Sequence, residues 1–414
     1  MKIERIEVMR WENVANKPVG CRIYTDEGIY GDGEAALAYG NASNAAYGIL
    51  LDFAPLIIGM DPFDTEVIWE KLFKETFWGQ NGGPVTYAGI SAIDLALWDI
   101  KGKALNLPIY KLLGGKQREK LRVYASQLQF GWSDLTTKDW KLPKAPEDYA
   151  RAVRLAVDEG YDAVKIDFFT YDADGRPFTH DERIGLLKPY YLRLIESRME
   201  AIRREVGYDV DIIMENHSYT DTASAIQLAE VAEKYKIFCF EEPNTPFPKT
   251  NEKLSRYTKL PIAQGERLYG RWQYAPFFEN GSLLLIQPDL GNCGGLTEGK
   301  KICDMAYTYD VGVQCHICST PLSIMPALHL ESVIPNFVIH EHHMVFLEPE
   351  NIKMVKYNYQ PVNGYYTVPD LPGMGNEWSE HALNTCKQKE VFESQAALCP
   401  SKTIGGNDYV NKDS

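Results

Sequence analysis

Between residues 121 and 341 short apolar runs alternate with longer amphipathic ones. The apolar runs are LRVYAS, DAVKID, VDIIME, KIFCFE, LPIAQGE, LLLIQPD, VGVQCH and NFVIHE. Runs this short predict strands, and the stretches between them predict helices. Eight such units in succession predict a parallel sheet closed into a (β/α) barrel.

The flanks differ. In residues 1–120, RIEVMRW and VGCRIYTDEGIYGDGE predict antiparallel strands with a turn at Asp26-Glu27-Gly28. Helical spacing follows in ISAIDLALWDIKGKALNLPIYKLLGG, where Ile93, Leu97 and Ile100 share a face and Gly114-Gly115 ends the pattern. Residues 346–414 carry the irregular NGYYTVPDLPGMGNEW and are expected to pack back on the first domain. The expected division is therefore 1–120, 121–345 and 346–414, with order in the last fifteen residues open. Two long gaps, 129–147 and 169–190, predict loop insertions on the rim where specificity is set.

Six consecutive strand candidates close on an ionisable residue. These are Glu215, Glu241, Glu266, Asp289, His316 and Glu341, at intervals of 26, 25, 23, 27 and 25 residues. One strand, one helix and two short loops need that spacing. Barrel enzymes place their chemistry at the carboxyl ends of the strands, so the six converge on one pocket. Charges gathered there are costly unless paired or bound to metal.

Glu215, Glu241 and Glu266 form an all-oxygen set suited to Mg²⁺. A single glutamate would more often cap a helix or pair with lysine; three at a regular interval argue otherwise. Asp289 can orient His316 as a general base near neutral pH. A lone histidine in VQCHIC would more often be core, and Cys315 with Cys318 lacks the second cysteine pair of a zinc site. Lys165 and Asp167 share a strand face. Lys165 can stabilise developing negative charge or pair with a metal carboxylate. His217, two residues past Glu215, can protonate a leaving hydroxyl or merely bond loop backbone. Asp167 and Arg267 are candidate substrate contacts. Strand phase credits Glu341; His340, His342 and His343 receive no role.

The 414 residues are 45% hydrophobic and 24% charged, a globular composition, and the net charge of −14 with no basic run argues against nucleic acid or anionic membranes. No apolar run reaches the length of a membrane span, and the opening MKIERIEVMRWENV has no signal-like core. The eight scattered cysteines predict no disulfide scaffold, and the expectation is a cytoplasmic protein.

The chain resembles the mandelate racemase/muconate lactonizing branch of the enolase superfamily. The likeness rests on ISAIDLALWDIKGKALNLPIYKLLGG, FEEP at 240–243, GER at 265–267, IQPDLGNCGG at 286–295 and VPDLPGMGNEW. It implies a modified TIM barrel under an α+β capping domain built from the N-terminal part and the tail. It implies one Mg²⁺ per subunit on Glu215, Glu241 and Glu266, the Asp289–His316 dyad as base, and Glu341 holding substrate or intermediate. Glu215 stands where the family often has Asp. Lys-x-Lys is replaced by Lys165-Ile166-Asp167, which disfavours a two-base racemase. His217 is similar to the acid of galactonate and gluconate dehydratases. The implied reaction removes the C2 proton of a small-molecule sugar acid and eliminates the 3-hydroxyl to give a 2-keto-3-deoxy acid. An epimerase or cycloisomerase on the same scaffold is the alternative; a non-catalytic, metal-binding regulatory barrel is the alternative of another class. A dicarboxylic substrate would need a further cation, for which Arg271 and Lys17 are candidates. The family resemblance also implies a homo-oligomer.

Overall fold

The computed structural model describes residues 1–393 except 13, 15, 38, 81 and 134–139. Cys399, the last fifteen residues and part of the 129–147 insertion therefore lie outside the described residues. The seven described cysteines are free thiols.

The chain opens with β1 (Ile3–Arg10), β2 (Val19–Thr25) and β3 (Tyr30–Ala35), paired antiparallel. The β2–β3 turn falls at Asp26–Gly28, where Gly28 takes a left-handed φ of 80°. Helices α1 (Ala42–Ile57), α2 (Thr65–Lys74) and α3 (Gly83–Leu105) follow. Most of α3 is buried, because it lies between the first sheet and the barrel. A Cβ on Gly31 or Gly33 would meet the carbonyl oxygen of Ala96 or Ala92 at 2.1 and 1.8 Å, so the close approach of α3 to β3 requires glycine. On the barrel side, Ser91 Oγ accepts the N–H groups of Gly294 and Gly295, and Asp94 accepts that of Thr297 at 2.9 Å. The helical pattern does not run unbroken to Gly114-Gly115. Asn106 turns left-handed at φ 53° and ends α3, and a separate turn, Ile109–Leu112, begins after Pro108.

The eight strand expectations match β4 (Lys120–Ser126), β5 (Ala163–Asp167), β6 (Asp211–Glu215), β7 (Cys239–Glu241), β8 (Ile262–Gln264), β9 (Leu285–Ile286), β10 (Gly312–Val313) and β11 (His340–His343). They pair parallel in chain order from β4 to β10, and β11 lies beside β4. The ring closes because Val313 N–H donates to Asn336 O (2.8 Å) and Val338 N–H to Val313 O (2.9 Å) on the lead-in to β11. Alternation sends Tyr124, Ala163, Ile213, Cys239, Ala263, Leu285 and Ile339 into the barrel interior. The opposite faces pack under the surrounding helices.

The tail returns to both bodies. β12 (Tyr365–Thr367) lies antiparallel on β4, and β13 (Gln388–Phe392) on β1. Trp378 packs on Trp11 with ring centroids 4.7 Å apart, and its backbone N–H donates to Asp32 at 2.9 Å. No helix among the described residues is long and apolar enough to cross a membrane.

One buried histidine ties the tail to the barrel. His329 Nδ1 accepts the Tyr110 N–H (3.3 Å), which leaves Nε2–H to donate to Met374 O (3.1 Å). Burial holds its pKa down at about 4. The unfolded chain therefore binds the proton first, and the stabilisation from neutral His329 is lost as pH falls from about 6.5 to about 4, up to about 3 kcal/mol. Urea unfolding across that window should fall more steeply for the wild type than for His329→Gln; equal slopes would count against the assignment.

Candidate active site

The mouth of the barrel is strained where the strands end. Gln127, His217, Ser218 and Glu242 all take left-handed φ, between 44° and 74°. Non-glycine residues hold that conformation at a cost, and such residues concentrate at functional sites. Here backbone bonds hold them: Gln127 N–H donates to Lys165 O, and Ser218 N–H to Glu242 O.

Directly below the mouth, Lys165 Nζ lies 2.6 Å from Glu241, 2.9 Å from Glu341 and 3.3 Å from Glu215. All four side chains are almost wholly shielded from solvent. One ammonium thus serves three carboxylates. Burial opposes the charge on Lys165, yet the three glutamates hold its pKa far above the usual lysine value. Burial raises Glu241 to about 8, although Lys165 works the other way.

The acidic trio that gathers at the mouth is Glu215, Glu242 and Glu266, with ligand oxygens within 4.8 Å of one another. This differs from the expected set. Alternation along β7 turns Glu241 inward onto Lys165, and the left-handed backbone of the next residue carries Glu242 to the mouth. Glu242 Oε1 and Glu241 Oε2 are buried without hydrogen-bond partners. Glu215 Oε1 likewise accepts no well-aligned bond, although His217 Nε2 lies 3.1 Å away. Arg267 bridges Glu242 and Glu266 in close contact, a guanidinium standing where positive charge is wanted. Arg267 is thus a carboxylate partner in this arrangement, not a free substrate contact. Orphaned hard oxygens around a stand-in cation fit a divalent metal ion.

Glu266, Asp289 and His316 stand two or three residues beyond the ends of their strands, in the loops. They still converge. His316 Nδ1 lies 2.7 Å from Asp289 Oδ2, and Nε2 lies 3.1 Å from Glu266 Oε2. Asp289 Oδ1 accepts the Gly291 N–H, fixing the carboxylate. Burial works against the imidazolium, but Glu266 and Asp289 outweigh it and raise His316 to about 10. Glu266, also buried, is held down at about 2 by His316 and Arg267.

A second dyad faces the first. His217 Nδ1 lies 3.1 Å from Asp167 Oδ2, and Nε2 reaches Glu215. Burial is again outweighed, here by Glu215 and Asp167, and His217 stands near 10. The trio is thus flanked by two histidines, each backed by an aspartate. Asp167, a candidate substrate contact, lies against His217.

Two further candidates have partners within the chain. Glu341 lies beneath the mouth: its oxygens accept from Ser126 Oγ (2.6 Å) and Ile317 N–H (2.9 Å) and contact Lys165. Arg271 is not a spare cation, since Glu298 binds it at 2.6 and 2.9 Å. Sequence reasoning missed Glu242 and Gln127, whose Nε2–H donates to Glu215 (2.8 Å), and also missed Glu34. That carboxylate reaches from β3 to accept the N–H and hydroxyl of Thr320. Of the three unassigned histidines, His340 bonds Glu331 and His342 bonds Tyr366, both away from the barrel interior, whereas His343 shares the inner face with Glu341.

The fold and this constellation define a class of proteins. The N-terminal domain profile of the mandelate racemase/muconate lactonizing enzymes matches residues 11–114, and the enolase C-terminal domain-like profile matches 148–382. The chain belongs to the mandelate racemase/muconate lactonizing enzyme branch of the enolase superfamily. It is similar to a D-galactonate dehydratase of Pectobacterium atrosepticum, 30% identical over 92% of this chain and 94% of that protein. It is also similar to a D-xylonate dehydratase of Haloferax volcanii, 32% identical over 86% of this chain and 81% of that protein. A crystal structure of an enolase-superfamily member from Salmonella Typhimurium superposes with a TM-score of 0.91 at 49% identity, covering 94% of this chain and 99% of that one.

Replacing Lys165 with Met would leave three buried carboxylates without their shared ammonium. A loss of about 3–5 kcal/mol in urea unfolding with chelator present is expected, and a change below about 1 kcal/mol would refute the pairing.

Proposed function

We propose that this enzyme is a hydro-lyase acting on an acid sugar, and that it uses Mg²⁺. The observation that carries the reading is the pair of Asp-backed histidines on opposite sides of an acidic cluster whose buried oxygens lack partners. Dehydration needs both ends of that arrangement: a base for the proton beside the carboxylate and an acid for the departing hydroxyl. The dehydratases among the relatives point the same way.

Glu215, Glu242 and Glu266 would hold the ion. A divalent cation there neutralises charge that develops on the substrate carboxylate as the C2 proton leaves. The residues of the chain do the rest. His316 Nε2 takes the C2 proton while Asp289 fixes its tautomer at Nδ1. The C3–O bond then breaks, and His217 delivers a proton from Nε2 so that the hydroxyl departs as water. The enol left behind tautomerises to the 2-keto-3-deoxy acid. Lys165 lies beneath this exchange and holds Glu241 and Glu341 in place.

The same pair of histidines also suits an epimerase, in which one removes the C2 proton and the other returns it on the opposite face. Loss of water separates the two: semicarbazide detects a keto acid only from the dehydratase.

His316→Asn should lose both C2 deuterium exchange and keto-acid formation, by about 10²–10⁴-fold. His217→Asn should lose keto-acid formation yet retain C2 exchange. Undiminished turnover in His316→Asn would remove it from the scheme. A chelator should abolish activity, and Mg²⁺ should restore it. For the ion itself, Glu242→Gln should weaken Mg²⁺ binding, read by calorimetry, about ten-fold or more, and Glu241→Gln by less than about three-fold. The reverse order would give the third position to Glu241.

A further inference from the structure

We propose that His343 is a specificity-determining residue, a neutral donor that holds a hydroxyl at the far end of the substrate's polyol chain. The inference rests on the acid-sugar reading above and assigns the wall of the site opposite the acidic trio.

Three observations lead to it. The first is place. β11 lies between β4 and the closing strand β10, across the ring from β7. The trio belongs to β6, β7 and the β8 loop, so His343 stands on the opposite side of the mouth. Register pairs His343 with Ser126 at the carboxyl end of β4, one step above Glu341 on the same inner face. A chain whose carboxylate sits at the trio, and which passes between His217 and His316, directs its remaining carbons toward β11.

The second is the proton. His343 Nδ1 accepts the Val345 N–H at 3.2 Å, inside the turn that follows the strand. That bond occupies Nδ1 and leaves the hydrogen on Nε2. Burial, partly offset by Glu341, drives the ring's pKa down to about 3, so the imidazole is neutral throughout the working pH range. The charged groups facing it, Lys165, His316 and His217, belong to the site, and the nearby carboxylate is Glu341.

The third is access. His340 Nε2 and His342 Nε2 are buried orphans, closed off behind the barrel wall. His343 Nε2 is not among these orphans, although the residue is only 9% exposed. A donor on a nearly buried ring, on the inner face and within the influence of His316 and His217, suits an oxygen acceptor. A substrate hydroxyl meets that need without adding charge to a wall already rich in carboxylates. A neutral donor discriminates by direction more than by force, which suits a choice among sugar acids that differ only in the configuration of a distal carbon.

The test compares a six-carbon aldonate with glycerate, which lacks the distal hydroxyls. Binding to the Mg²⁺-loaded enzyme is measured by calorimetry, and keto-acid formation alongside it, for the wild type, His343→Leu and His343→Gln. For the aldonate that the wild type prefers, His343→Leu should weaken binding and raise KM about ten-fold, with kcat changed less than about three-fold. Glycerate binding should not change, and His343→Gln, which retains an N–H donor, should recover most of the loss. Equal losses for long and short acids, or an unchanged aldonate affinity, would overturn the proposal. Because Leu also removes the cap on the Val345 turn, thermal unfolding of both variants accompanies the comparison, and the ratio of long to short acid cancels a general loss of folded protein. An enzyme that binds aldonates but forms no keto acid would defeat the dehydratase reading while the affinity comparison still judges His343. Absence of any aldonate binding would overturn both.

Discussion

The whole mouth of the barrel is organised by a shortage of positive charge. Among the described residues, Lys165 is the only cation within the barrel interior that Glu215, Glu241 and Glu341 share. Arg267 divides itself between Glu242 and Glu266 in the same way. Burying several carboxylates around two cations is unfavourable by itself. Burial raises the pKa of Glu241 and Glu242, and the neighbouring carboxylates raise those of His217 and His316. The trio Glu215, Glu242 and Glu266 could hold a divalent ion, which would supply part of that missing charge. Carboxylates therefore outnumber the described cations that meet them at the barrel mouth.

Much of the architecture was legible because strand burial writes itself directly into apolar runs. All eight barrel strands fall on the runs read from the chain, and the spacing of their endings gave the convergence of Glu215, Asp289 and His316. The adjacent glutamates resisted the same reading. Which of Glu241 and Glu242 faces the mouth depends on one left-handed residue at a strand end, and a sequence pattern with a period of two carries no sign of it. Lys165 lies on the inner face that strand alternation gave it, and there it meets three glutamates. Gln127 carries no charge and no motif, so nothing singled it out before its bond to Glu215 was visible. His343 could have been found: the alternation that credited Glu341 applies two residues later as well.

Replacement of the second lysine of the family pattern by Asp167 has a structural counterpart. The position that would carry a base carries instead the carboxylate that orients His217. A single strand residue thus both departs from the family pattern and meets His217. The two dyads differ in their anchorage: Asp289 is pinned by the backbone of Gly291, and Asp167 by that of Phe169, each two residues on. This local turn is what places an aspartate oxygen toward its histidine in both cases.

The pairing of β1 with β13 has a consequence during synthesis. Arg10 and Gln388, hydrogen-bonded across that ladder, are 378 residues apart in the chain. At typical ribosomal rates the first strand waits on the order of 20–75 s for its last neighbour. Through that interval one edge of the first sheet presents open N–H and C=O groups, an invitation to strands of other nascent chains. Lys389, which meets Glu7 on the finished ladder, arrives only with the strand that ends the exposure. The cap thus depends for its completion on the last part of the described chain to emerge.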